Sequence, residues 1–126
     1  MSKKQVATSK APGAIGPYSQ AITAGNWVYT SGQLGLDPVT GELAGDVQAQ
    51  ARQSLANVQA ILEEAGASLD LVVKTTVFLK DMNDFAAVNE VYSSFFKEPY
   101  PARSAVEVAR LPKDGLVEIE VVARRK

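Results

Sequence analysis

The chain contains no cysteine and no histidine. Without cysteine there is no disulfide, no thiolate nucleophile and no sulfur-rich zinc site; without histidine there is no His-based triad and no imidazole to ligate a metal. Charge of either sign is also scarce in excess: the formal net charge is −1, and the dense basic runs are only Lys3-Lys4 and Arg124-Arg125-Lys126. These are too short to track a phosphate backbone, so no nucleic-acid partner is expected. Long hydrophobic runs are missing as well. The longest, "LDLVVKTTVFL", is broken by Lys74, and "MSKKQVATSKAPGAIG" at the N-terminus has no apolar core of the signal-peptide kind. A soluble cytoplasmic protein without a membrane partner is the expectation.

What remains is 126 residues, 46% hydrophobic and 21% charged, the balance of an ordinary globular chain. One domain spanning 1–126 with a core of moderate size is expected, and a domain this small leaves enough apolar surface to favour self-association. Any chemistry must come from carboxylates, Arg, Lys, Tyr, hydroxyls, backbone groups and water.

The hydrophobic pattern orders the elements. Residues 1 to 17 are polar and punctuated by Gly and Pro, and read as an arm that becomes ordered near "GPYSQA". "QAITAGNWVYTSGQL" predicts two short strands with a turn at Gly25-Asn26. "LDPVTGELAGD" predicts a loop. Asp46 is an N-cap candidate for a helix carrying Val47, Ala51, Leu55, Val58, Leu62 and Ala65 on one stripe, with Gly66 as its stop. "LDLVVKTTVFLKD" is β-branched and alternating, which predicts a long strand. A second helix begins near Asn83 or Asp84, aligns Phe85, Val88, Tyr92 and Phe95 or Phe96, and ends before Pro99 and Pro101. Strands over 103–111 and 116–123 close the chain. The predicted order is β-β-α-β-α-β-β, an α+β fold whose two helices cover one face of the sheet.

The closing strands carry the charge that asks for an explanation. Alternation predicts that the valine and isoleucine rows face the helices and that Arg103, Glu107, Glu118 and Glu120 share the uncovered face. A simple hairpin through Pro112–Gly115 would set Glu107 opposite Glu120, a destabilising like-charge pair, so the last strand is expected to insert elsewhere in the sheet. The charged row then either lines a cleft or subunit boundary or is a solvated surface.

"PARSAVEVARLPKDGLVEIEVVA" closely resembles the terminal motif of the YjgF/RidA family of reactive-intermediate imine deaminases. "GAIGPYSQAI", "VYTSGQLGLDP", "TGEL" and "NVQAILEEAGASLDLVVKTTVFLKDMNDFAAVNEVY" extend the resemblance over nearly the whole chain. It implies a chorismate-mutase-like fold with a mixed sheet, its last strand internal, assembled as a homotrimer with clefts between subunits. The activity implied is hydrolysis of 2-imino acids such as 2-iminopropanoate and 2-iminobutanoate, or their enamine tautomers, to 2-keto acids and ammonia. No metal or organic cofactor is implied.

The resemblance also assigns residues. Arg103 matches the arginine that clamps the substrate carboxylate, a task for a planar two-pronged donor. Glu118 matches the acidic residue of the "VEI" segment and is expected to hold the attacking water; pattern alone does not separate it from Glu120. Tyr18 either orients substrate or water or packs as an aromatic lid. Ser31 and Gly32 match a pocket wall, and Asn89 is either a pocket residue or a buried structural amide. Ala105 stands where many relatives carry cysteine; the backbone carbonyl implied to hold substrate survives the change, whereas thiol-dependent behaviour does not. Two other readings stand beside the deaminase: a non-catalytic trimer that binds small carboxylates such as 2-keto acids, and a ribonuclease or translation inhibitor.

Overall fold

Each element forms where the residue pattern meets a partner able to bury its apolar row. The computed structural model describes residues 2–126. Strands β1 (Lys3–Val6), β2 (Ala21–Ala24), β3 (Trp27–Thr30), β4 (Gln33–Leu34), β5 (Val72–Leu79), β6 (Ala102–Glu107) and β7 (Val117–Arg124) form one mixed sheet. Helices α1 (Val47–Glu64) and α2 (Phe85–Phe95) pack together on one face of it. The strand order is β1-β2-β3-β7-β5-β6, with β4 also beside β7. Among the described residues only β5 and β6 pair in parallel.

The last strand is therefore internal, as the charge argument requires. β5 separates β6 from β7, so Glu107 lies opposite Leu79 and Glu120 opposite Thr76. The like-charge pair of a simple hairpin never forms.

Two strands lie outside the predicted order. β1 falls in the segment read as an arm; its Lys3, Lys4 and Gln5 are exposed, and only Val6 is buried. Its pairing with β2 supplies the strand, and its lysines suit a sheet edge. β4 is only two residues long, too short to leave a period. The strand predicted over 103–111 stops at Glu107, apart from one further link from Val108 N–H to the Leu79 carbonyl at 2.8 Å.

The predicted sharing of faces is corrected. In the β5–β6 register Arg103, Ala105 and Glu107 lie beside Thr75, Val77 and Leu79, the inward row of β5. Arg103 and Glu107 thus point to the helix side, whereas Glu118 and Glu120, opposite Phe78 and Thr76, occupy the open face. Val106, expected under the helices, is 42% exposed. The parallel neighbour, not the hydrophobicity of β6 itself, sets which row turns inward. At this outer strand the helix layer ends, and a long side chain can lie along aromatic rings with its charge near water.

The core follows the α1 stripe. Ala51, Leu55, Val58 and Leu62 are buried against Val28, Val77, Ile119 and Val121, with Ile61 joining them. Asp46 caps the helix by accepting from Ala49 N–H at 2.8 Å. Gly66, at φ +81°, closes it: its N–H donates to the Glu63 carbonyl and Ala67 N–H to that of Leu62, the paired bonds of a Schellman motif.

A buried polar stripe on α1 holds the segment that carries β4. Ser54 Oγ donates to the Gln33 carbonyl at 2.6 Å, and Asn57 Nδ2 to the Leu34 and Leu36 carbonyls at 3.2 and 2.9 Å. Gln50 donates to the Ala44 carbonyl and accepts from Leu116 N–H. The approach requires Gly35, where a Cβ would come 2.4 Å from the Gln50 carbonyl oxygen. Asn57→Leu leaves carbonyls without a donor and is expected to lower stability by about 2–3 kcal/mol in urea denaturation. A loss under about 0.5 kcal/mol would show that those carbonyls find other donors.

Candidate functional site

The break between β3 and β4 builds the first half of the site. β3 pairs with β7 as far as Tyr29–Val122, and pairing resumes at Gln33–Ile119. The freed Val121 N–H donates instead to Thr30 Oγ1 at 3.0 Å. Beside it, Ser31 Oγ donates to the Ser19 carbonyl at 2.6 Å and Ser31 N–H to the Gln20 carbonyl at 2.9 Å, which ties the Tyr18 loop to the break. Buried Gln20 holds the preceding arm: its amide donates to the Thr8, Ala11 and Pro12 carbonyls and accepts from Thr8 N–H.

Tyr18, Ser31, Gly32 and Glu118 line one cavity of about 470 Å³, whose apolar wall includes Ile15, Leu34 and Leu36. Gly32 is there because the Glu118 side chain lies against it: a Cβ would sit 2.8 Å from the Glu118 carboxyl carbon. Burial, and after it the neighbouring charge of Glu120, pushes the Glu118 carboxyl above its ordinary value. The pattern did not distinguish the two glutamates; Glu118 is half-buried beside Gly32, and Glu120 is exposed.

Arg103 forms the second half. It lines a concavity of about 430 Å³ with Asn89, Tyr92, Ser93, Tyr100 and Pro101. Its Nη1 donates to Asn89 Oδ1 at 2.7 Å, and its guanidinium carbon lies 4.7 Å from the Tyr92 ring centre and 5.2 Å from that of Phe85. Tyr92 is in turn hydrogen-bonded to Thr75 at 2.8 Å, and burial raises its phenol above the ordinary value. The ion pair present among the described residues joins Arg110 to Asp114, so Arg103 has no carboxylate partner of its own. A cation pinned by an amide and two rings, with most of its five donors free, is chemically able to receive an anion. Ala105, two residues along β6, is half-buried against the core opposite Val77.

The sequence-predicted residues thus fall into two groups. Tyr18, Ser31, Gly32 and Glu118 come together; Arg103 and Asn89 come together; and β6 and β7 present Arg103 and Glu118 on opposite faces of the sheet. A single chain does not close one site from both. The rings that hold Arg103 were missed as site residues because Phe85 and Tyr92 sit on the apolar stripe of α2. Asn89 between them, polar on that stripe, is the signal that marks it.

The family described as endoribonuclease L-PSP matches residues 8–125. The chain belongs to this family. Its members include the YjgF and RidA proteins, the resemblance read from the motifs. Within the endoribonuclease L-PSP family, a 2-iminobutanoate/2-iminopropanoate deaminase of Escherichia coli K12 is 58% identical over 126 residues, covering 98% of both chains. The crystal structure of the E. coli YjgF gene product superposes with a TM-score of 0.93 at 58% identity, covering 98% of this chain and 99% of that one. E. coli TdcF with bound serine gives a TM-score of 0.93 at 55% identity, with 98% and 99% covered.

Proposed function

We propose that this protein hydrolyses reactive 2-imino acids and their enamine tautomers to 2-keto acids and ammonia. The observation that carries the proposal is Arg103: a guanidinium held by Asn89, Phe85 and Tyr92, without a carboxylate partner, in a chain 58% identical to a 2-iminobutanoate/2-iminopropanoate deaminase. The substrate has a carboxylate for it to bind.

The two half-sites meet between subunits of a homotrimer, the Arg103 side of one facing the Glu118 side of the next. The open face supports this assembly: Tyr29 is 49% and Val106 42% exposed in the single chain. With the substrate carboxylate on Arg103, the Glu118 carboxylate takes a proton from water as the water oxygen bonds to C2 and the C=N electron pair moves to nitrogen. That proton passes to the nitrogen to give a carbinolamine; Glu118 then carries the hydroxyl proton to the nitrogen as the C–N bond breaks, the C=O bond forms and ammonia leaves. The Tyr18 hydroxyl orients the water, Asn89 orients Arg103, and the Ala105 carbonyl accepts from the substrate N–H. Ser31 and Gly32 form the wall. The reaction balances without a metal or organic cofactor. No helix of the described residues is long and apolar enough to cross a membrane, and the cytoplasm, where pyridoxal-phosphate enzymes release such imines, is the proposed location.

The test couples a threonine dehydratase to the purified protein and follows keto-acid appearance against semicarbazide trapping of the imine, for wild type and Arg103→Ala. Faster keto-acid release with wild type alone supports the enzyme. Binding of 2-keto acids without acceleration would favour the non-catalytic carboxylate binder. The family description names a ribonuclease; the net charge of −1 and the lack of histidine place that reading last.

Glu118 must be ionised to take a proton, so activity falls as pH drops through its raised pKa. Glu120→Gln removes one cause of that rise and is expected to move the acid limb of kcat/KM to lower pH, with little change at the plateau. An unmoved limb would assign it to another group.

A further inference from the structure

Among the described residues, Lys113 and Asp114 are the non-glycine residues with left-handed backbone, at φ +56° and +57°. Asp114 has a local reason. Aspartate tolerates this region, and Arg110 holds its carboxylate with Nε–Oδ1 at 2.7 Å and Nη2–Oδ2 at 3.2 Å. Lysine has no such excuse, and its side chain makes no hydrogen bond among the described residues.

The turn is closely pinned. Buried Leu111 and Gly115 anchor its ends, Asp114 N–H donates to the Leu111 carbonyl and Gly115 N–H to that of Pro112, each at 3.1 Å. The turn forms part of the wall of the Glu118 cavity, and Lys113 and Glu118 are the two charged residues that line it. A strained conformation kept at a cavity wall, where glycine would be at ease, points to a use for the side chain.

We propose that Lys113 is a specificity-determining residue of this cavity, its ammonium placing a positive charge on the wall that it shares with Glu118, so that a small anionic substrate enters. The inference rests on the imine-hydrolysis reading and adds the residue that selects for negative charge at entry. A cation on a cavity wall raises the local concentration of an anion, and the effect fades as salt screens it.

The experiment measures kcat, KM and thermal midpoint for wild type, Lys113→Gly, Lys113→Gln and Lys113→Arg in the dehydratase-coupled assay, at about 20 and about 300 mM salt. Lys113→Gly is expected to raise the midpoint by relieving the backbone while lowering kcat/KM about tenfold, mostly through KM. Lys113→Gln should show a similar kinetic loss without the gain in stability, and Lys113→Arg should stay within about twofold of wild type. In the Gly and Gln variants the salt dependence of kcat/KM should flatten. An active wild type with an indifferent Lys113→Gly, or a loss confined to kcat and unaffected by salt, overturns the inference alone. A wild type that does not turn over imines overturns the deaminase reading, and this inference with it.

Discussion

Arg103→Ala is expected to lower kcat/KM by about two to four orders of magnitude while leaving the fold and assembly intact. The substitution removes two charge-assisted hydrogen bonds to the substrate carboxylate, together about 3–5 kcal/mol, and each 1.36 kcal/mol is tenfold in rate. The fold should tolerate it because Arg103 is exposed and its protein contacts are one bond to Asn89 and two ring faces. Lys in its place should recover little, since a point charge cannot reproduce the fork that meets a carboxylate while bonded to Asn89. Coupled kinetics with size-exclusion chromatography checks both halves. A variant that keeps kcat/KM within about fivefold of wild type would remove Arg103 from the site, since one retained bond alone accounts for more.

Glu118→Gln is expected to reduce kcat by about two to three orders of magnitude, the usual worth of a positioned acid–base group, with a much smaller effect on KM. The stability consequence has the opposite sign. A carboxyl whose folded pKa is raised holds its proton more tightly in the folded state. As pH rises from below its unfolded value, 4.5, through the raised folded value, the folded state is the one that binds more protons, and stability falls. Glutamine does not titrate, so the variant should lose that fall and melt higher than wild type at neutral pH. Below the unfolded pKa the difference should vanish, since both carboxyls are then neutral. Lost turnover with raised stability is the signature of a charge kept for chemistry. Loss of both would mean that Glu118 is a structural carboxylate.

Much of the fold is legible because its causes are local. Asp46 caps α1, Gly66 ends it, Gly25-Asn26 turns the β2–β3 hairpin, and the alternation in 72–79 appears as β5. Even the internal position of β7 is readable, because Glu107 and Glu120 make the local alternative unfavourable. β1 and β4 are not legible. One has no apolar alternation of its own, the other no length, and both exist because a neighbouring strand or the Ser54 hydroxyl and Asn57 amide of α1 satisfy their backbone.

The site divides in the same way. The resemblance to the YjgF/RidA motifs singles out Arg103, Glu118, Tyr18, Ser31, Gly32, Ala105 and Asn89, and the chemistry open to each is a property of the residue itself. The face each occupies is not such a property. Arg103 was expected beside Glu118 on the open face. The parallel register with β5 turns it towards α2, where Phe85, Asn89 and Tyr92 hold it, and leaves Glu118 on the other side against Gly32. By itself the sequence determined most of the elements and the chemistry available to them, because these depend on local pattern and functional groups. Only the tertiary structure decided which strand neighbours which, and therefore which charge is paired, raised in pKa or left free to bind, because register is a long-range property that no single strand encodes.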